Sequence, residues 1–301
     1  SASPAGRCGI ATATRRSKCP GRSTRQAPSR EAQPSGGGLP RLREAQLKAL
    51  ELLGLDVVTP QSDNYYIAEG MGVRTQSPYN DTPYVVANAM ETLDEVDKLT
   101  VPDPQKDGRM PVYGKAVGIL REHVGGKVAI RCGGTGPFSL ACHLLGAQNL
   151  LTAIALSEME GDEKQQAHIF RLLEISAHAS VAFSLAMLEA GADIVMCGDS
   201  AASPDLISPA YYTKYAFPYE KLFFDMVSPA CRKKGAAALL HICGDTTPIL
   251  KQMARTGADI LEVDHKVDLS DCRGAVGPDI CLMGNLDPTG VLLRGTPETV
   301  R

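Results

Sequence analysis

From Leu42 onward, apolar positions switch between helix-like spacing and short continuous runs, and each switch marks an element boundary. Leu42, Leu47, Leu50 and Leu53 predict one side of a helix that Gly54 can end, and Leu55 to Pro60 follows as a buried strand. Residues 73–86 read as irregular or hairpin-like, Glu91 to Leu99 as helical, and Val101-Pro102-Asp103-Pro104 as an extended link. Pro111 opens a helix with Ala116, Ile119, Leu120 and Val124 inward, and Lys127 to Cys132 is the next strand. Gly133-Gly134-Thr135-Gly136 then turns into a helix at Pro137-Phe138. The free N–H groups at such a start can receive an anion, or the glycines can simply bring backbone close to a site.

The alternation continues. A long apolar stripe (Ile169, Leu172, Leu173, Ile175, Val181, Phe183, Leu185, Leu188) predicts one helix from Glu163 to Ala190, and Asp193 to Cys197 a strand. Helix resumes from Pro209 to Arg232, with a kink expected at Pro218. Ala236 to Ile242 is a strand, Pro248 to Arg255 a helix, and Asp259 to Val263 and Asp279 to Met283 are further strands. Thr296-Pro297-Glu298 opens a last helix. Six strands separated by helical crossovers predict a parallel α/β fold, and the architecture favoured is a TIM (β/α)8 barrel. A doubly wound sheet is the alternative, but its dinucleotide fingerprint is absent. Eight strands are needed, so the barrel is expected to be incomplete, its first strand preceding Leu42 and its last following the helix at Thr296.

Composition adds a boundary. Residues 1–40 hold seven basic residues against Glu31 alone, whereas the whole chain carries a formal charge of −3, so the two parts are different material. This leader is rich in Arg, Ser, Pro and Gly without apolar periodicity, and is expected to be disordered. It reads as a transit-like or nucleic-acid-binding arm or a foreign extension, with 41–301 as the folded barrel. No apolar run approaches the roughly 20 residues of a membrane span, and no secretory signal is visible, so the default compartment is the cytoplasm. Nine cysteines without CxxC pairs exclude a disulfide scaffold.

Polar residues gather after the strands, the active-site face of such barrels: Asp63, Asp199, His241 with Cys243, Asp264 with His265, and Asn285 with Asp287. Residues i and i+2 of a strand point to one side, so His241 and Cys243 present an imidazole and a thiol together, ligands that zinc accepts. Asp264, one strand over, is placed to complete the metal shell or to orient His241, with a helix cap as its bland role. Asp199 reads equally as a substrate contact or a cap, and Asn285 and Asp287 as shapers of the last loop.

Several segments, in order, resemble the uroporphyrinogen decarboxylase superfamily: Gly136-Pro137-Phe138-Ser139-Leu140-Ala141, Ala190-Gly191-Ala192-Asp193, the Asp199 to Ser203 loop, Leu206-Ile207-Ser208-Pro209, His241-Ile242-Cys243-Gly244 and Gly284-Asn285-Leu286-Asp287-Pro288. The resemblance covers about residues 41–301 and implies a TIM barrel. His-x-Cys-Gly is similar to the branch of corrinoid-dependent methyltransferases, whose zinc motif continues with a later Cys in a Gly-Cys-rich segment. His241 and Cys243 match the first half, and the third ligand is expected beyond Arg301. Cys281 is a poor substitute, about four residues and roughly 10–13 Å below its strand end.

That resemblance implies a zinc-dependent enzyme moving a methyl group from a methylcorrinoid, free or on a corrinoid protein, to a small-molecule thiol such as coenzyme M. His241 and Cys243 are then the metal ligands, Asp199 and Asp264 the candidate catalytic carboxylates, and Asp63, Asn285 and Asp287 the candidates for contact with the corrinoid. No nucleic acid or membrane partner is implied, and a homodimer is left open. The alternatives are a uroporphyrinogen decarboxylase, whose Arg-Gln-Ala-Gly-Arg-Tyr motif is absent, and a non-catalytic corrinoid-partner subunit.

Overall fold

The computed structural model describes residues 38–78 and 81–300. Its frame is a sheet that opens with β1 (Val57–Val58) and is interrupted in sequence by a separate antiparallel hairpin of β2 (Arg74–Gln76) and β3 (Tyr84–Ala87). It then continues through β4 (Ala129–Cys132), β5 (Ile194–Gly198), β6 (Ala237–Ile242), β7 (Ile260–Val263) and β8 (Cys281–Met283). The six strands of the main sheet lie side by side in chain order, and every neighbouring pair is parallel. Helices make the returns: α1 (Gly38–Leu53), α2 (Tyr66–Gly70), α3 (Met110–Val124), α4 (Pro137–Leu145), α5 (Ala147–Glu160) and α6 (Glu163–Glu189). They are followed by α7 (Pro209–Tyr211), α8 (Phe217–Lys234), α9 (Leu250–Met253), α10 (Leu269–Val276) and α11 (Pro297–Val300). Six sequential parallel strands with helical returns are the architecture of an incomplete (β/α)8 barrel, as the alternation predicts.

Alternate residues of each strand go to different cores. Ile130, Cys132, Val195, Cys197, Ala238, Leu240, Ile242, Leu261 and Val263 pack with helical side chains in the large core. Met196, Leu239 and Ile260, flanked by Ile194, Ala237 and Met283, form a small core that contains strand residues alone. The second set is the inner face of the barrel wall.

Several local expectations are adjusted. The helix ahead of β1 begins at Gly38, taking in the last three residues of the leader; residues 1–37 lie outside the described residues. Leu47 and Leu50 pack on the core, but Leu53 is 70% exposed. Gly54 closes that helix with φ +61°, a conformation that favours glycine. The segment 73–86 does form a hairpin.

A π-helical turn over Tyr212–Ala216 lies just ahead of Pro218. Pro218 itself occupies the first turn of α8, where its missing N–H has no helical partner to lose. Contrary to the sequence reading, α6 is long and apolar enough, by length and composition alone, to cross a bilayer. Here 61% of that apolar stretch is buried, and the helix packs on α4, α5 and α8.

Candidate active site

His241 is the penultimate residue of β6, and its neighbours are set by register. It pairs with Gly198 on one side and Glu262 on the other, and Glu262 pairs with Met283. All of these share the inner parity of the small core, so His241 and Glu262 stand one level above Leu239 and Ile260 inside the wall. Cys243 follows at the strand end, exposed, with its Sγ 3.0 Å from His241 Nε2 and 3.2 Å from Ser200 Oγ. Gly244 turns the chain at φ +84°, and a Cβ there would collide with Ser203 and Asp205. Only glycine suits that turn.

Behind the imidazole, His241 Nδ1 lies 3.2 Å from Glu262 Oε2, off the line of a good hydrogen bond. Glu262 is in turn gripped by Arg131, whose two terminal nitrogens donate to Oε1 at 2.9 Å and Oε2 at 2.6 Å. Sequence reading finds neither Glu262 nor Arg131, because each looks like one charged residue within an apolar strand. The available signal was parity: Arg131 and Glu262 occupy inward positions where a barrel core expects apolar side chains.

Charge sharing sets the protonation of this row. Burial pushes the His241 pKa down, but its contacts with Cys243 and Glu262 outweigh that and raise it to about 10. The hydrogen bond from His241 lowers the Cys243 pKa, against a smaller opposing effect of burial. Burial would raise the Glu262 pKa, yet His241 and Arg131 bring it down to about 2. The shifts favour a charged imidazole beside a thiol made more acidic than usual, with the Glu262 carboxylate and Arg131 behind them.

The donor set suits a soft divalent metal in part. Zinc at about 2.0–2.1 Å from nitrogen and 2.3 Å from sulfur holds its ligands roughly 3.5 Å apart, so the 3.0 Å between Nε2 and Sγ must open slightly and His241 must lose its proton. A carboxylate behind the other imidazole nitrogen is what metal-bound histidines ordinarily have. Among the described residues, no third His, Cys, Asp or Glu joins this pair in a three-donor group. Cys281 pairs with Ile260, two residues below the level of His241, Glu262 and Met283, or roughly 7 Å. It is nearer in depth than expected but still below the pair.

The other candidates are placed elsewhere. Asp199 follows inward-facing Gly198 and so turns to the helix side, where it is fully buried. Its carboxylate accepts from Phe138 N at 3.1 Å and Ser139 N at 2.6 Å. The anion at the glycine-rich start of α4 is therefore the protein's own Asp199, and the close approach depends on Gly136, where a Cβ would strike Asp199. Glu220 and Tyr212, both fully buried, complete this pocket, with the Tyr212 hydroxyl donating to Glu220 at 2.6 Å.

Asp264 does not orient His241. It accepts from Gly244 N at 3.0 Å and Lys266 N at 3.1 Å and lies 2.8 Å from His265 Nδ1, bracing the loops after β6 and β7. The carboxylate beside His241 is Glu262, two residues earlier.

Asn285 donates to the carbonyls of Asp264 and Val267, and Asp287 accepts from Thr289 N and Gly290 N, so both hold loop backbone. Asp63 is nearly buried in a bidentate pair with Arg109 at 2.7 and 2.9 Å, and Arg109 also binds Glu69. Burial would raise the Asp63 pKa, but Arg109, Ser62 and the Tyr65 amide together lower it.

Comparison with known proteins places this geometry. The uroporphyrinogen decarboxylase (URO-D) family profile matches residues 41–301. The methylcobamide:CoM methyltransferase MtbA of Methanosarcina mazei is 35% identical over 254 residues, covering 83% of this chain and 69% of that protein. A uroporphyrinogen decarboxylase of Carboxydothermus hydrogenoformans is 29% identical over 258 residues, covering 86% of this chain and 70% of its own. Among solved structures, a methyltransferase from Methanosarcina mazei matches with a TM-score of 0.76 at 29% identity, over 87% of this chain and 74% of the other. With a family match over residues 41–301 and a relative above 30% identity, this chain belongs to the uroporphyrinogen decarboxylase family.

Proposed function

We propose that this chain is a methyltransferase that moves a methyl group from a methylcorrinoid to a small-molecule thiol, of which coenzyme M is the first candidate. One observation carries the reading: His241 Nε2 and Cys243 Sγ stand 3.0 Å apart at the C-terminal end of β6, with Glu262 behind the ring, in a chain 35% identical to a methylcobamide:CoM methyltransferase. His241 and Cys243 would hold zinc, which when bound lowers the pKa of a substrate thiol and keeps it as a nucleophile at neutral pH.

Cys243 supplies the thiolate ligand and Ser200 hydrogen-bonds it. Glu262 accepts the charge at the far side of His241, and Asp264 and Asn285 hold the loops that frame the mouth. The substrate sulfur then attacks the methyl carbon. Such a transfer would form a carbon–sulfur bond and break the donor's cobalt–carbon bond, whose electron pair would stay with the corrinoid. A decarboxylase would have no use for an imidazole–thiol pair at this position.

The test incubates the metal-loaded protein with methylcobalamin and a panel of thiols that includes coenzyme M. The expected result is loss of the methyl–cobalt absorption, together with zinc bound in the wild type and absent in Cys243→Ser. No reaction with any thiol, alongside turnover of uroporphyrinogen, would move the assignment to decarboxylation. Inactivity in both assays with binding of a corrinoid protein would favour a partner subunit.

A further inference from the structure

Arg131 is a charged, inward-facing residue that the reading above does not use, and its position is unusual for an ion pair. It belongs to β4, whereas Glu262 belongs to β7, with β5 and β6 between them. Along a flat sheet the three strand spacings alone are about 14 Å, and the register sets Arg131 a further four residues below Glu262. The pair closes only because the wall is concave, so the side chain runs as a chord across the barrel interior, over the Met196 thioether. Both terminal nitrogens engage Glu262, and each partner is only 20% exposed. Nε is buried and has no partner among the described residues.

A bidentate guanidinium–carboxylate pair fixes the plane as well as the position of the carboxylate. Glu262 Oε2, the oxygen 2.6 Å from Arg131, is also the one 3.2 Å from His241 Nδ1. Without Arg131, Glu262 has free rotamers and no fixed face toward the ring. An imidazole flip would then exchange the nitrogen that faces Cys243.

We propose that Arg131 is a positioning residue for the metal site: it holds Glu262 from across the barrel, and Glu262 in turn holds His241 with Nε2 toward Cys243. This rests on the metal reading given above for His241 and Cys243. Arg131 touches neither candidate ligand and acts only through Glu262.

The experiment titrates Co2+, a spectroscopic probe for the zinc site, into metal-free full-length protein. The proteins are the wild type, Arg131→Lys, Arg131→Met, Glu262→Gln and the Arg131→Met/Glu262→Gln double variant. Loss of a group behind a metal-bound histidine typically weakens binding about 10–100-fold. The expected result for Arg131→Met is a loss near the low end of that range, with an altered ligand-field spectrum and partial recovery in Arg131→Lys. The double variant should bind no more weakly than Glu262→Gln alone, since the same link is cut twice. A merely structural role predicts additive losses instead.

Wild-type affinity and spectrum in Arg131→Met would overturn the inference, as would additive losses in the double variant. If Arg131→Met does not fold, Arg131→Lys with Glu262→Gln decides it by the same comparison. A wild type that binds cobalt but transfers no methyl group removes the functional reading and leaves this inference standing. A wild type that takes up no cobalt removes the inference.

Discussion

Each side of the sheet carries a carboxylate-centred polar cluster at the C-terminal strand ends, and the two clusters do different work. On the inner side, Arg131, Glu262 and His241 keep roughly a fifth to a quarter of their side-chain surface open, and Cys243 is exposed. On the helix side, Asp199, Glu220 and Tyr212 are 0% exposed. The inner row is paired charge with donors left for a ligand. The outer pocket is closed, the Asp199 carboxylate committed to the first amides of α4, while Glu220 Oε1 has no hydrogen-bond partner among the described residues. Gly198 and Asp199 are adjacent in sequence, yet one lies level with His241 and the other faces the opposite layer. Position at a strand end therefore does not make a residue part of the site; the side it faces does.

That contrast makes the two clusters separable by mutation. The largest effect belongs to the inner row: Cys243→Ser should cut thiol methylation on the order of 1000-fold, the several kcal/mol that a metal-held nucleophile contributes. Its unfolding midpoint should stay near that of the wild type, since the thiol is exposed. Steady-state kinetics with a denaturation curve on the same sample would check both. A large loss of stability would mean that the inner row also holds up the fold.

Asp199→Ala should behave oppositely. It strands the buried amides of Phe138 and Ser139, and each unsatisfied group costs about 1–3 kcal/mol, so a loss of roughly 2–6 kcal/mol is expected in urea unfolding. Methyl transfer per folded molecule should change little by comparison. An Asp199→Ala protein that is stable but inactive would return this carboxylate to the catalytic list.

Glu220→Gln gives a smaller, pH-dependent effect. Burial first, then the neighbouring Asp199 charge, push the Glu220 pKa well above its ordinary value. A folded pKa above the unfolded one gives stability that is complete below the unfolded value and declines as pH rises toward the folded one. Wild-type stability should therefore fall with rising pH above the normal Glu range. The Gln variant lacks that proton and should lose this part of the slope. Parallel stability profiles for the two proteins would show that Glu220 holds no proton in the fold.

The smallest effect is expected from Ser200→Ala, which removes one hydrogen bond to Cys243 and nothing buried. About 0.5–1.5 kcal/mol is at stake, or roughly twofold to tenfold in metal affinity. Calorimetric titration with zinc would measure it.

The strand-and-helix alternation, the parallel wall and the His241–Cys243 pair were legible in the residues, because each depends on spacing within a few positions. The apolar stripe of α6, the short runs of β5 to β7 and the i, i+2 geometry of the pair are all local patterns. Gly54 was legible for a similar reason, since a tight reversal restricts the residue that makes it. Asp264 shows the limit of that reasoning. It was placed correctly after β7, but whether it or Glu262 reaches His241 depends on which residue pairs across β6 and β7, and that register puts Glu262 beside the ring.

Only the folded chain could decide what lies across the wall. Arg131 and Glu262 are 131 residues apart and meet through the curvature of the sheet, which no segment specifies alone. The same holds for Asp199, whose partners on α4 lie 60 and 61 positions away. Local pattern encodes which elements form and which way their side chains alternate. Long-range pairing of charges requires the elements to be assembled, because register and curvature arise from packing among all of them.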